Sequence, residues 1–412
     1  MRSLILFAAL LLPTSAFAQT IEPATKTRID RILKKTPLID GHNDLPWALR
    51  QDFGSSIAGL ELGTAGRTPP LMTDMARLRA GRVGGQLWSV YISGTITGDE
   101  AIRTTIEQID TAKRLIRAYP QHLQMASSAD ELVRIHKSGR IGSMLGVEGG
   151  RQINASMATL RLYHELGVRY MTLTHNQTTD WADAATDEPR HDGLSPFGVK
   201  VVAEMNRLGM MVDLSHVSAA TARDAIGASR APVIFSHSDA AALNPHPRNV
   251  PDDVLRLLAA NGGVMMVTFV PAFLTPEFWA WGRERSAQEA RLKSLYSFSK
   301  AQVETGLKRW DAANPKPQLA VSVVADHIDH VARIAGHDHV GLGGDFDGID
   351  HTVPGLGGVE DYPTLFAELI RRGWSDANLA KLAGGNFLRA LRQAEAVAAS
   401  MKDVPPSLDK LP

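Results

Sequence analysis

The chain contains no cysteine among its 412 residues. This absence excludes disulfide bonds, thiolate metal sites and a cysteine nucleophile. Any metal ion must therefore be held by nitrogen and oxygen atoms, and the folded state must be stabilised by an ordinary apolar core. The chain is long enough to bury such a core, either as one large α/β barrel or as two domains.

An excess of charge of one sign is also missing, because 44 Lys and Arg residues balance 44 Asp and Glu residues. No basic tract occurs, so nucleic acid is not expected as a partner. The apolar run at the N-terminus, Leu4 to Leu12, is too short to span a bilayer comfortably. It follows Arg2 and precedes the small-residue pattern Ala16-Phe17-Ala18, so residues 1–18 are predicted to be a signal peptide.

The protein is therefore expected to be exported to the periplasm or the medium, with an uncleaved anchor as the alternative. The C-terminal residues 401–412 are polar and contain proline, and they carry no apolar tail. They are predicted to be a flexible end. No stable membrane anchor is predicted.

Eight short apolar segments rich in Val, Ile, Leu and Met predict buried β-strands. They are Leu38 to Asp44, Val83 to Ile92, Ile141 to Val147, Arg169 to Thr174, Gly209 to Leu214, Pro232 to Ser236, Gly262 to Val270 and His339 to Gly344. Most lack clean alternation, which is typical of parallel strands covered on both faces. Helical stretches lie between them, among them Ser156 to Leu166, Ser218 to Ala228 and Pro251 to Ala260.

This alternation predicts an α/β fold, a (β/α)8 TIM-like barrel that forms a single domain over residues 19–400. The alternative is an open doubly wound sheet, which is disfavoured because no glycine-rich phosphate turn follows the first strand. A helical insert is predicted at about 271–320, after the seventh strand. The insert could form a lid or pocket wall, or it could pack on the barrel as a surface insert, and the sequence favours the two equally. Its aromatic residues are Phe278, Trp279, Trp281, Tyr296 and Trp310.

Five residues of metal-ligand type fall where predicted strands end. His42 and Asp44 are two residues apart on an extended strand, so both side chains point to one face. The first ligand set is predicted to be His42, Asp44 and Glu148, and the second ligand set is Glu148, His216 and His237. Each histidine alone could be an ordinary hydrogen-bonded residue. Together they favour a two-metal hydrolytic site at the mouth of a barrel, with zinc preferred and Mn, Co or Fe as alternatives.

Other polar residues also follow strands, namely His175, Arg248 and Asp345. Asp347 is the alternative to Asp345 as the functional carboxylate at this strand end, because it lies only two residues further along the chain. Arg248 lies in the loop after the sixth strand, where its guanidinium could bind a free carboxylate through two parallel hydrogen bonds. The alternative is that it pairs with an aspartate of the next helix, Asp252 or Asp253.

The motifs IDGHNDLP, GVEGG, LTHN, DLSHVS, PVIFSHS, RNVPDD and GGDFDG occur in this order. As an ordered set they resemble the membrane dipeptidase (renal dipeptidase) family, peptidase family M19, from about Pro37 to about Arg392. The resemblance implies a barrel of the metal-dependent hydrolase type with two zinc ions per chain. It also implies hydrolysis of dipeptides, including those with a C-terminal D-residue, and a possible homodimer.

The resemblance implies the same two ligand sets, with Glu148 bridging the ions, and it gives the substrate-contacting residues as His175, Arg248 and Asp345. His175 is then expected to stabilise the oxyanion, and Asp345 to carry a proton to the leaving amine. The alternatives are another amidohydrolase, acting on a β-lactam or a non-peptide amide, or a binding protein that has lost turnover. The sequence departs from mammalian members in having no cysteines, no signal for a glycolipid anchor and a longer insert.

Overall fold

The computed structural model describes residues 21–61, 67–297 and 299–409. The predicted signal peptide, residues 1–18, lies outside the described residues. Within the described part of the chain, the helices are all too short or too polar to cross a bilayer.

Short parallel strands form one sheet, and all of them except β3 are almost entirely buried. The strands are β1 Leu38–Asn43, β2 Val83–Val90, β3 Leu123–Met125, β4 Ile141–Glu148, β5 Val168–Thr172, β6 Met211–Asp213, β7 Ile234–Ser238, β8 Val264–Val267 and β9 Val340–Leu342. Pairing runs in the order β1, β2, β4, β5, β6, β7, β8, β9 and back to β1, so eight strands close a barrel. The predicted (β/α)8 fold is confirmed.

Helices connect the strands and cover the outside of the barrel. They are α1 Pro23–Lys35, α2 Leu45–Phe53, α3 Met75–Ala80, α4 Gly98–Ala118, α5 Ala129–Lys137, α6 Met157–Glu165, α7 Pro196–Leu208, α8 Ala219–Ala228, α9 Asp252–Asn261, α10 Pro271–Leu274, α11 Pro276–Leu295, α12 Lys300–Ala313, α13 Val321–Ala335, α14 Tyr362–Arg371, α15 Asp376–Ala380 and α16 Asn386–Ser400. Serine hydroxyls cap several of them; Ser156, for example, accepts the N–H of Thr159. The three helices named from the sequence are confirmed to within one residue at each end.

The strand predictions differ from the structure at their ends and in one omission. Each predicted strand overlaps a barrel strand, but Gly262 to Val270 shrinks to the four residues of β8. The prediction also missed β3, which pairs with the first residues of β4 outside the closed ring. The segment Leu123–Met125 has a glutamine at its centre and lacks the longer apolar run that marks the other strands, so the sequence carries no clear signal for β3.

One glycine controls how closely two ligand-bearing strands approach. A Cβ atom at Gly41 of β1 would lie 2.5 Å from the backbone oxygen of Ser236 in β7 and 2.5 Å from the sulfur of Met266. Real Cβ atoms do not come so close to other atoms, so only glycine fits. His42 and His237 follow these two positions, and their ring centroids are 3.8 Å apart.

The predicted insert contains α10, α11 and α12, which follow β8, the seventh strand of the barrel. Trp281 donates its indole N–H to the Asn314 backbone oxygen at 3.0 Å, and Arg285 pairs with Asp311. Phe278 is buried where α11 begins. Residues 401–409, in the segment predicted to be a flexible end, also make contacts, since Ser407 bonds Glu204 through its backbone N–H.

Candidate metal centre

The five predicted ligands converge at the carboxyl ends of β1, β4, β6 and β7. Glu148, the last residue of β4, lies at the middle of the group. Its Oε1 lies 3.1 Å from His216 Nε2 and 3.5 Å from His237 Nε2. Its Oε2 lies 3.5 Å from His42 Nε2, and His42 Nε2 lies 3.2 Å from Asp44 Oδ2. The two oxygens of Glu148 therefore face different histidines.

Hydrogen bonds to the Nδ1 atoms of His216 and His237 determine which ring nitrogen carries the proton. Ser236 donates its hydroxyl to Asp213 at 2.7 Å, so its oxygen accepts from His237 Nδ1 at 2.9 Å. Asn176 Oδ1 accepts from His216 Nδ1 at 3.1 Å. The Nε2 atoms of both rings then carry lone pairs, and they face each other at 2.9 Å. Two lone pairs at that distance repel, and a cation between them would remove the repulsion.

Several polar atoms of the cluster are buried without a hydrogen bond to the described residues. They include both ring nitrogens of His42 and Oδ1 of Asp44. Buried polar atoms are almost always paired. Three overlapping groups also bring ligand atoms within 4.8 Å of one another, and Glu148 belongs to two of them; the groups are His42, Glu148 and His237, then Glu148, His175 and His216, then His42, Asp44 and Asp345. The residues fit divalent cations.

Burial and neighbouring charges favour neutral rings at His216 and His237 and an ionised Glu148, the protonation states that a metal needs, whereas at His42 they favour the protonated ring. Burial lowers the pKa of His216 and that of His237 well below the ordinary value, so both rings are neutral. Burial would raise the pKa of Glu148, but His42 and His216 hold it well below its usual range. Burial would likewise lower the pKa of His42, and the carboxylates of Glu148 and Asp44 outweigh it and raise that pKa.

The backbone is in the left-handed region at three residues that follow strands. The φ angles are 70° at His216, 60° at Asp345 and 66° at Asp347. Such angles are rare for residues other than glycine, and they concentrate at functional sites. Asp345 Oδ1 lies 4.0 Å from His42 Nε2, whereas Asp347 accepts the backbone N–H of Met72 at 2.6 Å. Of the two aspartates, only Asp345 lines the cavity described next.

A cavity of about 830 Å³ opens above the cluster. All the predicted site residues line it except His42, which is fully buried beneath. The insert contributes to its wall through Phe273 and Phe278. The start of the insert therefore forms part of the pocket wall. Further along the insert, the Trp281 and Trp310 rings pack on each other with their centroids 6.1 Å apart.

Arg248 lies in the loop after β7 and is 5% exposed. Its guanidinium donates to the His237 backbone oxygen at 3.3 Å and to Ser238 Oγ at 3.4 Å. Burial lowers the pKa of Arg248 to about 10, and the group remains a cation near neutral pH. The two aspartates considered as alternative partners pair elsewhere, Asp252 with His330 and Asp253 with Arg223. Among the described residues neither aspartate forms an ion pair with Arg248, and the Arg248 side chain lines the cavity.

Comparison with known proteins agrees with this geometry. The family model for membrane dipeptidase (peptidase family M19) matches residues 26–404. The chain belongs to the membrane dipeptidase family. The family predicted from the motifs is therefore confirmed, and with it the enzyme class, a metal-dependent dipeptidase.

Relatives of this membrane dipeptidase family member cover most of its length. The dipeptidase aclJ of Aspergillus oryzae is 41% identical over 93% of this chain and 84% of its own, and the dipeptidase verJ of Clonostachys rogersoniana is 40% identical over 90% and 88%. The structure of the probable dipeptidase PvdM of Pseudomonas aeruginosa has a TM-score of 0.76 at 24% identity, covering 92% of this chain and 100% of that one. At that identity the likeness shows the fold.

The site of this family member also contains residues that sequence reasoning missed. Ser89 donates its hydroxyl to Glu148 Oε2 at 3.1 Å, and the ring of Tyr91 lies 4.7 Å from that of His175. His246 and His351 also line the cavity. The first two have no sequence signal, because a serine and a tyrosine in a buried strand region look like ordinary core residues.

Proposed function

We propose that this protein hydrolyses the peptide bond of dipeptides at a centre of two divalent cations, and that it accepts a C-terminal D-residue. The observation that carries the proposal is the orientation of Glu148. One of its oxygens faces His42 and the other faces His216 and His237. A carboxylate so placed can bridge two cations.

The first ligand set would hold one cation and the second ligand set the other, as expected from the sequence. Imidazole and carboxylate ligands without thiolate favour zinc, and they also accept Mn, Co or Fe. Cations bound there would supply Lewis acidity and lower the pKa of a water molecule.

Two residues of the chain would assist the reaction directly. His175 lies beside the cluster, with Nε2 at 3.8 Å from Glu148 Oε1, and burial lowers its pKa. A neutral imidazole there can donate a ring N–H to the oxyanion that develops on the attacked carbonyl. Asp345 lies on the cavity wall next to His42, where its carboxylate could take up a proton and pass it to the leaving amine.

Arg248 would restrict the enzyme to dipeptides. Its buried guanidinium has only two hydrogen bonds to the residues that the structure describes, both of them long, and it lines the cavity. If it binds the substrate carboxylate, the distance from the C-terminus to the attacked carbonyl is fixed. Only one residue then fits beyond the scissile bond.

The deciding experiment measures metal content and turnover on the purified protein. We expect two equivalents of divalent metal per chain, hydrolysis of L-Ala-D-Ala and no hydrolysis of a tripeptide. Metal without peptide turnover would favour another amidohydrolase, and a β-lactam and a non-peptide amide should then be assayed. Neither metal nor turnover would indicate a binding protein.

A further inference from the structure

Arg248 has few contacts for a buried charged side chain. Its two hydrogen bonds, to the His237 backbone oxygen and to Ser238 Oγ, are 3.3 and 3.4 Å long. Its Nε has no hydrogen-bond partner among the residues that the structure describes. Such weak bonds leave the orientation of the guanidinium poorly fixed, so another contact must hold it.

That contact comes from the insert. The ring of Phe273, in α10, lies under the guanidinium, with its centroid 5.2 Å from the Arg248 Cζ atom. A cation within about 6 Å of an aromatic face is attracted by the ring quadrupole, and more strongly where water is excluded. Both residues line the cavity. The ring therefore covers one face of the guanidinium, and the N–H groups at its edge stay available.

Phe273 is itself fixed to the loop that carries Arg248. Asn249, the next residue after Arg248, donates its side-chain amide to the Phe273 backbone oxygen at 2.7 Å. Asn244 donates to the same oxygen at 3.0 Å and to the Ala272 oxygen at 2.9 Å. Both asparagines are buried. These bonds join the loop and α10, so that the ring and the guanidinium keep their relative position.

We propose that Phe273 is a positioning residue for Arg248, through which the start of the insert controls binding of the substrate carboxylate. The inference rests on the carboxylate-binding role of Arg248 in the proposed function. An arginine already held in place loses less conformational freedom when the substrate binds. Loss of the ring should therefore weaken binding of a dipeptide without changing the chemical step.

The test compares the holoenzyme with Phe273→Leu, which keeps an apolar side chain and removes the ring. We expect the KM for L-Ala-D-Ala to rise about tenfold with kcat unchanged, because uniform binding is lost. A tenfold change corresponds to about 1.4 kcal/mol. Phe273→Tyr keeps the ring and should keep the wild-type KM. Trp310→Leu removes an aromatic ring from the same insert outside the cavity lining, and we expect it to leave KM unchanged.

A double-mutant cycle separates positioning from a general effect on the fold. In the Arg248→Ala background, Phe273→Leu should cause no further rise in KM. An unchanged KM in Phe273→Leu, or an equal rise in both backgrounds, overturns the inference and leaves the proposed function intact. If Arg248→Ala itself binds L-Ala-D-Ala as well as wild type, the carboxylate-binding role of Arg248 and this inference are both wrong. Should Phe273→Leu fail to fold, Phe273→Met replaces it.

Discussion

The substitution Glu148→Gln tests the centre of the site most directly. Glu148 is 4% exposed, and its two oxygens face the two ligand sets separately. Glutamine keeps the size of the side chain and one ligating oxygen, and it replaces the other oxygen with an amide nitrogen that cannot bind a cation. It also removes the negative charge shared by the two sets.

The size of the effect follows from counting ligands. Each ligand set has three protein ligands, the usual number for a catalytic zinc. Glutamine leaves one set with two, so metal content should fall from two equivalents per chain to about one. A metal ion contributes several kcal/mol to the stabilisation of transition-state charge. A loss of about 3 kcal/mol lowers kcat by about a hundredfold, at about 1.36 kcal/mol per tenfold.

The assay measures metal per chain by atomic emission and kcat for L-Ala-D-Ala on the same sample. Ser89→Ala is the matched control, because it removes only the 3.1 Å hydrogen bond to Glu148 Oε2. Loss of such an outer partner weakens metal affinity by about 10–100-fold, and two equivalents should still bind at saturating metal. A Glu148→Gln enzyme that retains two tightly bound metals and a near-normal kcat would refute the bridging role.

Three further predictions concern other residues. Asp345→Asn should keep its metals and lose at least about a hundredfold in kcat, the usual contribution of an acid-base group, whereas Asp347→Asn should not; equal kcat losses in the two variants would contradict the assignment. Arg248→Ala should cost about 2–5 kcal/mol in kcat/KM for a free dipeptide and leave its C-terminal amide nearly unchanged, so equal penalties on both substrates would make Arg248 structural. Burial lowers the pKa of His327 to about 4 from 6.5. As the pH falls, the unfolded chain takes up a proton on this histidine before the folded protein does. The stabilisation is therefore complete above about pH 6.5 and is lost as the pH falls through about 4, and the loss in unfolding free energy is at most about 3 kcal/mol. His327→Gln should flatten that part of the profile of unfolding free energy against pH, and parallel profiles for the two proteins would show the reasoning to be wrong.

The sequence predicted the barrel and the convergence of its ligands because both depend on strand order. In parallel strands joined by helices, the carboxyl ends all meet at one edge, so His42 and His216 must approach each other although 174 positions separate them in the numbering. Ligand type and strand position are both readable from one sequence. The prediction of β8 was too long because buried apolar residues continue beyond its hydrogen-bonded part.

The supporting contacts could not be predicted in the same way. The attachment of Phe273 to the Arg248 loop requires two buried amide side chains, Asn244 and Asn249, whose partners are backbone oxygens of α10. Every residue has a backbone oxygen, so a sequence does not indicate which of them accepts such a hydrogen bond. The left-handed conformation at His216 is equally hidden, because histidine adopts it only where the surrounding structure requires it.

The order of strands also explains how the ligands are held. Ligand-bearing β1 and β4 are separated in the barrel by β2, and β4 and β6 are separated by β5. Each intervening strand, or the segment that follows it, supports a neighbouring ligand. Ser89 of β2 forms a hydrogen bond with Glu148, and Asn176, in the segment after β5, forms one with His216. A glutamate side chain at the end of β4 is long enough to reach histidines on both sides of the barrel mouth. Strands without metal ligands therefore orient the ligands, so substitutions there should change metal affinity before they change the fold.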